Sequence, residues 1–379
     1  MTMNDVLIVG AGPVGLTAAI VLTQRGRRVQ VIDNQAEGAN TSRAAVVHAR
    51  TLELLAPYAV SPDLIARGVH VPAFSIRDRD ATLLKVPFDD LPTAYPYTLM
   101  IPQADTEALL LQRLEHLGGH VLRPVTLTDV TQHGDGIAAV CADGREIRAR
   151  YLLGADGLHS TVRERAGIGF AGDTYADAFV LADVRLAGGL GAGEVILYFS
   201  PAGLVVVAPL PEGRHRIVAT VDDAPAEPNA AFVQRLLEER GPQARPAVVE
   251  QIVWSSRFRV HHRIAEAFRS DRILLAGDAA HVHSPAGGQG MNLGIEDAVA
   301  AGETLDRVLD GAPERLLDAY AAERRSTAES VIALAGRLTD LATLPPGRRR
   351  LRNAALRIAG TVPAVRRAAA RRLSGLDRR

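Results

Sequence analysis

A single cysteine, Cys141, leaves this chain without an internal disulfide and without the paired thiols of a disulfide reductase. It stands in the alternating stretch 137–144, which predicts a strand entering a turn and makes Cys141 a small buried apolar residue. Lysine is equally scarce: Lys85 stands alone, and arginine supplies the other basic side chains. Basic and acidic residues number 43 each, so the formal net charge is zero and no nucleic-acid partner is expected. Aromatic residues make up only 4%, so each is worth following into a pocket. No run reaches the roughly 18 apolar residues of a membrane span, and no secretory leader pattern opens the sequence. These absences lead to the expectation of a cytoplasmic protein with no integral membrane segment.

What is present is an ordinary apolar share, 47% of 379 residues, enough for two domains of about 150 residues each. The apolar run 6–9 predicts a strand buried on both faces and ended by Gly10. Residues 13–25 predict a helix stopped at Gly26, and 28–32 the next strand, with Asp33 at its carboxyl end. This is a right-handed βαβ unit. Segments 151–157 and 272–278 read as strands ending in the polar turns Asp156-Gly157 and Gly277-Asp278. Ligands of open α/β sheets bind outside the carboxyl ends of the strands, so the three turns should meet at one ligand. The middle of the chain has another rhythm: 194–199, 204–208 and 214–220 predict strands of an antiparallel meander, and 229–239 a helix. The tail 347–379 holds eleven arginines and one acidic residue, Asp377. Leu351, Ala355 and Ile358, then Val365, Ala369, Leu373 and Leu376, are spaced for two amphipathic helices. Such helices either bind an acidic partner such as a membrane surface or pack on the body with a solvated basic face.

The chemistry concentrates in two stretches. In Gly10-Ala-Gly12-Pro13-Val14-Gly15, the first glycine permits a tight turn and the second lets the backbone approach a pyrophosphate. The third lets the helix pack close to the strand. The helix start adds free N–H groups and partial positive charge. Asp33, 18 positions after Gly15, fits a carboxylate that binds a ribose, or one that caps a turn. The second stretch runs from Gly277-Asp278 to Asp297. Its segment Pro285-Ala-Gly287-Gly288-Gln-Gly290-Met291-Asn292 enters a helix predicted over 293–305 and offers N–H donors suited to the N1–C2=O edge of a flavin. Together the two stretches indicate FAD. His281 and His283 lack a third ligand nearby, so no metal is expected.

Gly10-x-Gly-x-x-Gly15, Asp156-Gly157 and Gly277-Asp278 resemble the three motifs of single-component FAD-dependent aromatic monooxygenases with the para-hydroxybenzoate hydroxylase fold. Segments 42–53 and 95–103 most resemble the hydroxylases of aromatic polyketides. The resemblance runs along nearly the whole chain. It implies an α/β fold in which a Rossmann-like FAD-binding domain (1–72, 101–172 and 265–340) carries an inserted antiparallel-sheet substrate domain (73–100 and 173–264), followed by C-terminal helices (341–379). It also implies a chain lacking the C-terminal thioredoxin-like domain of many such hydroxylases.

By the same resemblance, Asp33 binds the adenosine ribose and Arg43 lies near the flavin or the pyrophosphate. Gln103 contacts the flavin side chain, Asp156 and Gly157 serve both FAD and NADPH or NADH, and Asp278 binds the ribityl or pyrophosphate region. Pro285, Gly287 and Gly288 line the isoalloxazine, and Arg50 and Arg123 neighbour the FAD. Asp33-Asn34 stands where Glu-Arg is common, which keeps the carboxylate and loses a cation near the adenine. Phe74, Leu83, Tyr95, Tyr97, Leu99, Tyr198 and Phe258, with Pro285, are candidate pocket residues, each equally readable as core. No general base is identifiable. The implied activity is oxygenation of a polycyclic phenol or quinone through a flavin C4a-hydroperoxide, with O2 and NAD(P)H as co-substrates, in antibiotic biosynthesis. Hydroxylation and Baeyer–Villiger insertion both remain open, as do a monomer and a homodimer. Two other readings stand beside it: an oxygenase that inactivates a finished antibiotic, and an FAD protein that sequesters an aromatic ligand without catalysis.

Overall fold

The computed structural model describes residues 3–38, 44–188, 193–221, 224–225 and 227–379. Asn4–Val9 and Val29–Ile32 pair in parallel, with helix Pro13–Gln24 crossing between them. Glu146–Gly154 flanks Asn4–Val9, Ile273–Leu275 lies beyond it, and Val121–Leu122 extends the other side, every pairing parallel. The strand order is therefore 273–275, 146–154, 4–9, 29–32, 121–122. Val6, Leu7 and Ile8 are fully buried because helices cover one face and an antiparallel arm the other. Leu16, Ile20, Leu110 and Leu305 pack on the first face. Ile137, Val162, Phe268 and Val331 pack on the second, where Cys141 lies buried at the end of Gly136–Cys141.

A second sheet of eight strands runs in the order 281–282, 248–265, 170–187, 214–221, 203–209, 195–200, 73–78, 81–87. Only Val195–Ser200 and Ala73–Asp78 pair in parallel; the other neighbours are antiparallel. Thr98–Met100 does not join this sheet. It pairs with Val46–Val47 and Val69–Val71 in a separate three-stranded sheet, where Leu99 fills space that Gly68 leaves open. Helix Ala230–Arg240 is capped by Asn229, whose Oδ1 accepts from the Phe232 N–H at 2.9 Å. Its Val233, Leu236 and Leu237 cover Val180, Val184, Ile196 and Tyr198. Alternation then turns Leu197 and Phe199 to the opposite, inner face of the sheet.

Helix Gln289–Leu309 starts four residues before the predicted Leu293, because Gly288 already serves as its N-cap. The two C-terminal helices form at Pro346–Thr361 and Pro363–Leu373. The first is rotated from its expected setting. Leu351 is 75% exposed and Ile358 69%, whereas Arg352 and Asn353 are buried. Arg352 donates to the Leu341, Ala342 and Phe199 carbonyls, and its guanidinium lies 4.6 Å from the Phe199 ring centre. Asn353 donates to Asp78 at 2.9 Å. These specific partners outweigh burial of the apolar stripe.

Candidate active site

The three turns meet because their strands are neighbours. Gly10 has φ +101°, and a Cβ there would collide with the Ala155 carbonyl. Only glycine lets the first turn cross the second so closely. A Cβ on Gly15 would collide with the Gly10 carbonyl, and one on Gly277 (φ +61°) would sit 2.7 Å from Val14 Cγ2. Arg163 ties the second turn to the third: it donates to Leu158 O at 3.0 Å and to Ala279 O at 2.9 Å. Asp156 accepts from Ser160 Oγ at 2.6 Å and from the Val162 N–H at 3.1 Å, so its carboxylate folds its own turn; burial raises its pKa. Gly157 takes φ +80° in open space.

At the first turn, Gly12 caps helix 13–24 with no side-chain hydrogen bond, no acidic residue stands in the first helical turn, and a Cβ on Gly12 would meet nothing within 4 Å. An uncapped helix start facing open space fits a pyrophosphate. Asp33 Oδ2 accepts from the Ala11 N–H at 2.6 Å and its Oδ1 from the Gln35 N–H at 2.8 Å. The carboxylate therefore joins the end of the second strand to the glycine turn. Asn34 is exposed beside it. Arg123 donates to Ala11 O at 3.1 Å, bringing a guanidinium to the same turn. Gln103 Oε1 accepts from the Ala44 N–H at 3.2 Å, and its Nε2 donates to Glu107 at 2.8 Å. Arg43 lies outside the described residues. Arg50 is turned elsewhere, with its N–H on Ser374 O and its guanidinium beside Glu53.

The third turn continues into the glycine loop. Pro285 and Asp278 are exposed, and Gly287 and Gly288 have φ +82° and +65°. Helix 289–309 begins there with no side-chain cap, a second electropositive helix start. Gly290 has open space around it and Met291 is half-buried. Asn292 is spent internally. Its Oδ1 accepts from the His48 N–H at 2.8 Å and Thr51 Oγ1 at 2.7 Å, while its Nδ2 donates to Val46 O and Gly288 O. This side chain braces the loop and has no hydrogen-bonding capacity left for a flavin.

Sequence reasoning missed two supports of this loop. His48, fully buried, holds the Gly287 carbonyl through Nε2 at 3.0 Å, and burial pushes its pKa down to about 3, so the ring is neutral and donates. Asp297 accepts from the Gly277 N–H at 3.1 Å, His281 Nε2 at 2.6 Å and Arg324 Nε at 2.6 Å. Burial alone would raise its pKa; the charges of Arg324 and His281 outweigh that and hold it below the carboxylate range. The only sequence signals were that His48 lies in segment 42–53 and that Asp297 ends the stretch beginning at Gly277.

The aromatic candidates separate. Tyr198 is fully buried beneath helix 230–240, its hydroxyl unpartnered and its pKa pushed up to about 12 by burial. Leu99 lies in the core of the parallel sheet, Leu83 packs with Phe199 and Leu204, and Phe74 meets Phe88 edge-on at 5.1 Å. These four are core. Tyr95 and Tyr97 stay half-buried, with Tyr97 stacked on His70 at 4.2 Å. Phe258 stacks on Phe179 at 5.7 Å. Pairing sets Phe179 opposite Phe258 and Asp183 opposite Arg216, on the inner face of the sheet. Arg216 forms a buried fork with Asp183 at 2.7 and 2.8 Å and donates to Ala44 O at 2.8 Å. The inner face thus reaches the segment that Gln103 also holds.

The FAD binding domain family matches residues 3–335. The chain belongs to that family. Within it, this FAD-binding protein is similar to 6-methylpretetramide 4-monooxygenase of Streptomyces rimosus, 41% identical over 364 residues, 94% of this chain and 64% of that protein. It spans just under two thirds of that relative's length. It is 36% identical to rifampicin monooxygenase of Streptomyces venezuelae over 355 residues, 91% of this chain and 73% of that protein. Its fold matches p-nitrophenol 4-monooxygenase of Pseudomonas putida DLL-E4 with a TM-score of 0.85 at 27% identity, covering 97% and 96% of the two chains. The expected aromatic-hydroxylase fold and FAD cofactor hold. Among the described residues, no helix is long and apolar enough to cross a membrane.

Proposed function

We propose that this chain is an FAD monooxygenase that uses NADPH or NADH and O2 to oxygenate a polycyclic phenol or quinone of polyketide type. The observation that carries the reading is the convergence of the three turns with two uncapped helix starts, beside the inner face bearing Phe179 and Phe258. The names of the pretetramide and nitrophenol relatives support an aromatic substrate.

Residues 1–72, 101–172 and 265–340 hold FAD in this reading, and 73–100 with 173–264 cover the substrate. Gly10, Gly12 and Gly15 with the start of helix 13–24 receive the pyrophosphate, and Arg123 adds a cation. Asp33 takes the ribose hydroxyls, and Gln103 with Arg43 borders the flavin chain. The loop 285–288 and the start of helix 289–309 face the flavin's pyrimidine edge, where their partial positive charge favours the reduced, anionic ring. When bound, the flavin supplies hydride acceptance and oxygen activation. The protein's own task is exclusion of water and alignment of the substrate ring. Among the described residues, the inner-face carboxylate of Asp183 is spent on Arg216 and no other side chain there is placed as a general base, so a phenolic substrate supplies its own acidity. The enzyme works in the cytoplasm as a monomer or homodimer.

The test is NADPH consumption by the purified yellow protein with a panel of polycyclic phenols, each product weighed by mass spectrometry. Faster consumption with a product one oxygen heavier is expected. Tight binding without stimulation by any ligand would leave a sequestering protein instead. The similarity to rifampicin monooxygenase favours a second reading, oxygenation of a finished antibiotic, which the same assay separates by substrate.

A further inference from the structure

The rotated helix 346–361 exposes what an amphipathic helix ordinarily hides. Leu351 (75%) and Ile358 (69%) stand two turns apart on the side of helix 346–361 opposite the buried Arg352 and Asn353. Val362 (40%) and Val365 (41%) continue the stripe across the junction with helix 363–373. Helical geometry places Arg350 and Arg357 on one flank of the stripe and Arg348 on the other. Both helices pack on Ala81–Pro87, the edge strand of the second sheet. Along that junction lies a cavity of about 260 Å³ bordered by Lys85, Arg357 and Arg366 together with Leu84, Gly360 and Thr361. Among the described residues, none of these three cations is paired with a carboxylate, and Arg366 Nε is buried with no hydrogen-bond partner.

Three unpaired cations around a small cavity suit a phosphate group, and an exposed apolar stripe beside it suits hydrocarbon. We propose that this face docks on an anionic phospholipid bilayer, with lipid phosphate in the Lys85–Arg357–Arg366 cavity and Leu351, Ile358, Val362 and Val365 in the acyl boundary. Charge selects this occupant over a second copy of the chain. Two-fold pairing of the same face would set arginine against arginine.

Co-sedimentation of the FAD-loaded full chain with vesicles tests it. Binding is expected to phosphatidylcholine mixed with phosphatidylglycerol, absent with phosphatidylcholine alone, and reversed by salt. Lys85→Gln and Arg357→Gln should each weaken binding about fivefold. Leu351→Ser with Ile358→Ser should weaken it further while leaving the melting temperature and flavin content unchanged, since both side chains are exposed. Lack of binding to anionic vesicles, or equal binding to both kinds, overturns the proposal. So does full competition by inorganic phosphate at an ionic strength at which sodium chloride leaves binding intact, which would mark a soluble-anion site. A concentration-dependent dimer in sedimentation velocity, lost in Leu351→Ser/Ile358→Ser, would reassign the face to self-association.

Discussion

Gly10 and Gly12 stand two residues apart, yet a methyl group would meet opposite surroundings at each. At Gly10 it collides with the Ala155 carbonyl in a positive-φ backbone; at Gly12 it enters open space. Gly10→Ala should therefore destabilise the fold itself by about 2 kcal/mol or more. Gly12→Ala should leave the melting temperature of the flavin-free protein unchanged and weaken FAD binding, measured by flavin fluorescence. Equal loss of stability in both would show that Gly12 also serves packing. His48 and His283, whose pKa values are pushed down furthest, carry a pH signature. Burial pushes His48 down to about 3 and His283 to about 4, from an ordinary 6.5. As pH falls, the unfolded chain takes up these protons first. Stability is full above about pH 6.5 and declines below it, by up to about 1.4 kcal/mol per pH unit for each histidine. Asp297, held below the ordinary 3.8, adds its own loss only under more acidic conditions. Melting temperatures recorded from pH 8 downward should show the decline, with a shallower slope in His48→Gln.

Elements were legible where one face of a periodic pattern dominates. The glycine turns, the parallel strands and the meander follow from local alternation and punctuation, and Asn229 marks its helix start. The setting of helix 346–361 was not legible, because Arg352 is held by Phe199 and Asn353 by Asp78, partners 153 and 275 positions away. Likewise the family resemblance assigns residues 98–100 to the inserted sheet, and nothing local says that they pair instead with Val46–Val47 and Val69–Val71. Within the site, the turn residues were legible from spacing, whereas His48 and Asp297 act through distant backbone groups. The Asp183–Arg216 fork belongs to the same class of long-range contact and links the inner face to Ala44. Arg216→Met should cost about 3 kcal/mol by leaving Asp183 buried and unpaired. Asp183→Asn/Arg216→Met should recover much of that stability but not the substrate-stimulated NADPH oxidation, because the tie to Ala44 stays cut. Asn229→Ala, about 1 kcal/mol less stable through its lost cap, should oxidise NADPH normally and serves as the control.

At the scale of the molecule, the two sheets are not separate bodies joined by a flexible linker. Phe170–Ala187 and Val248–Ala265 are each 18 residues long and paired from Phe170–Ala265 to Ala187–Val248. The Phe170–Ala265 end lies against the parallel sheet's core, where Ala265 is buried with Phe268 and Ile273. The same strand pairs with His281–Val282, directly after the Gly277-Asp278 turn. A disturbance at the flavin turn is thus carried into the second sheet by continuous backbone, which favours one cooperative unfolding transition. The chain's only tryptophan, Trp254, sits on Val248–Ala265 opposite Asp183 and reports on the second sheet alone. Thermal unfolding followed by Trp254 fluorescence, far-ultraviolet circular dichroism and flavin release should give coincident midpoints. Free FAD at about 100 times its dissociation constant should raise all three together, by the equivalent of about 2.7 kcal/mol. A Trp254 transition that stays fixed while flavin release moves would show that the second sheet melts on its own, and that the shared strands do not couple the substrate side to the cofactor.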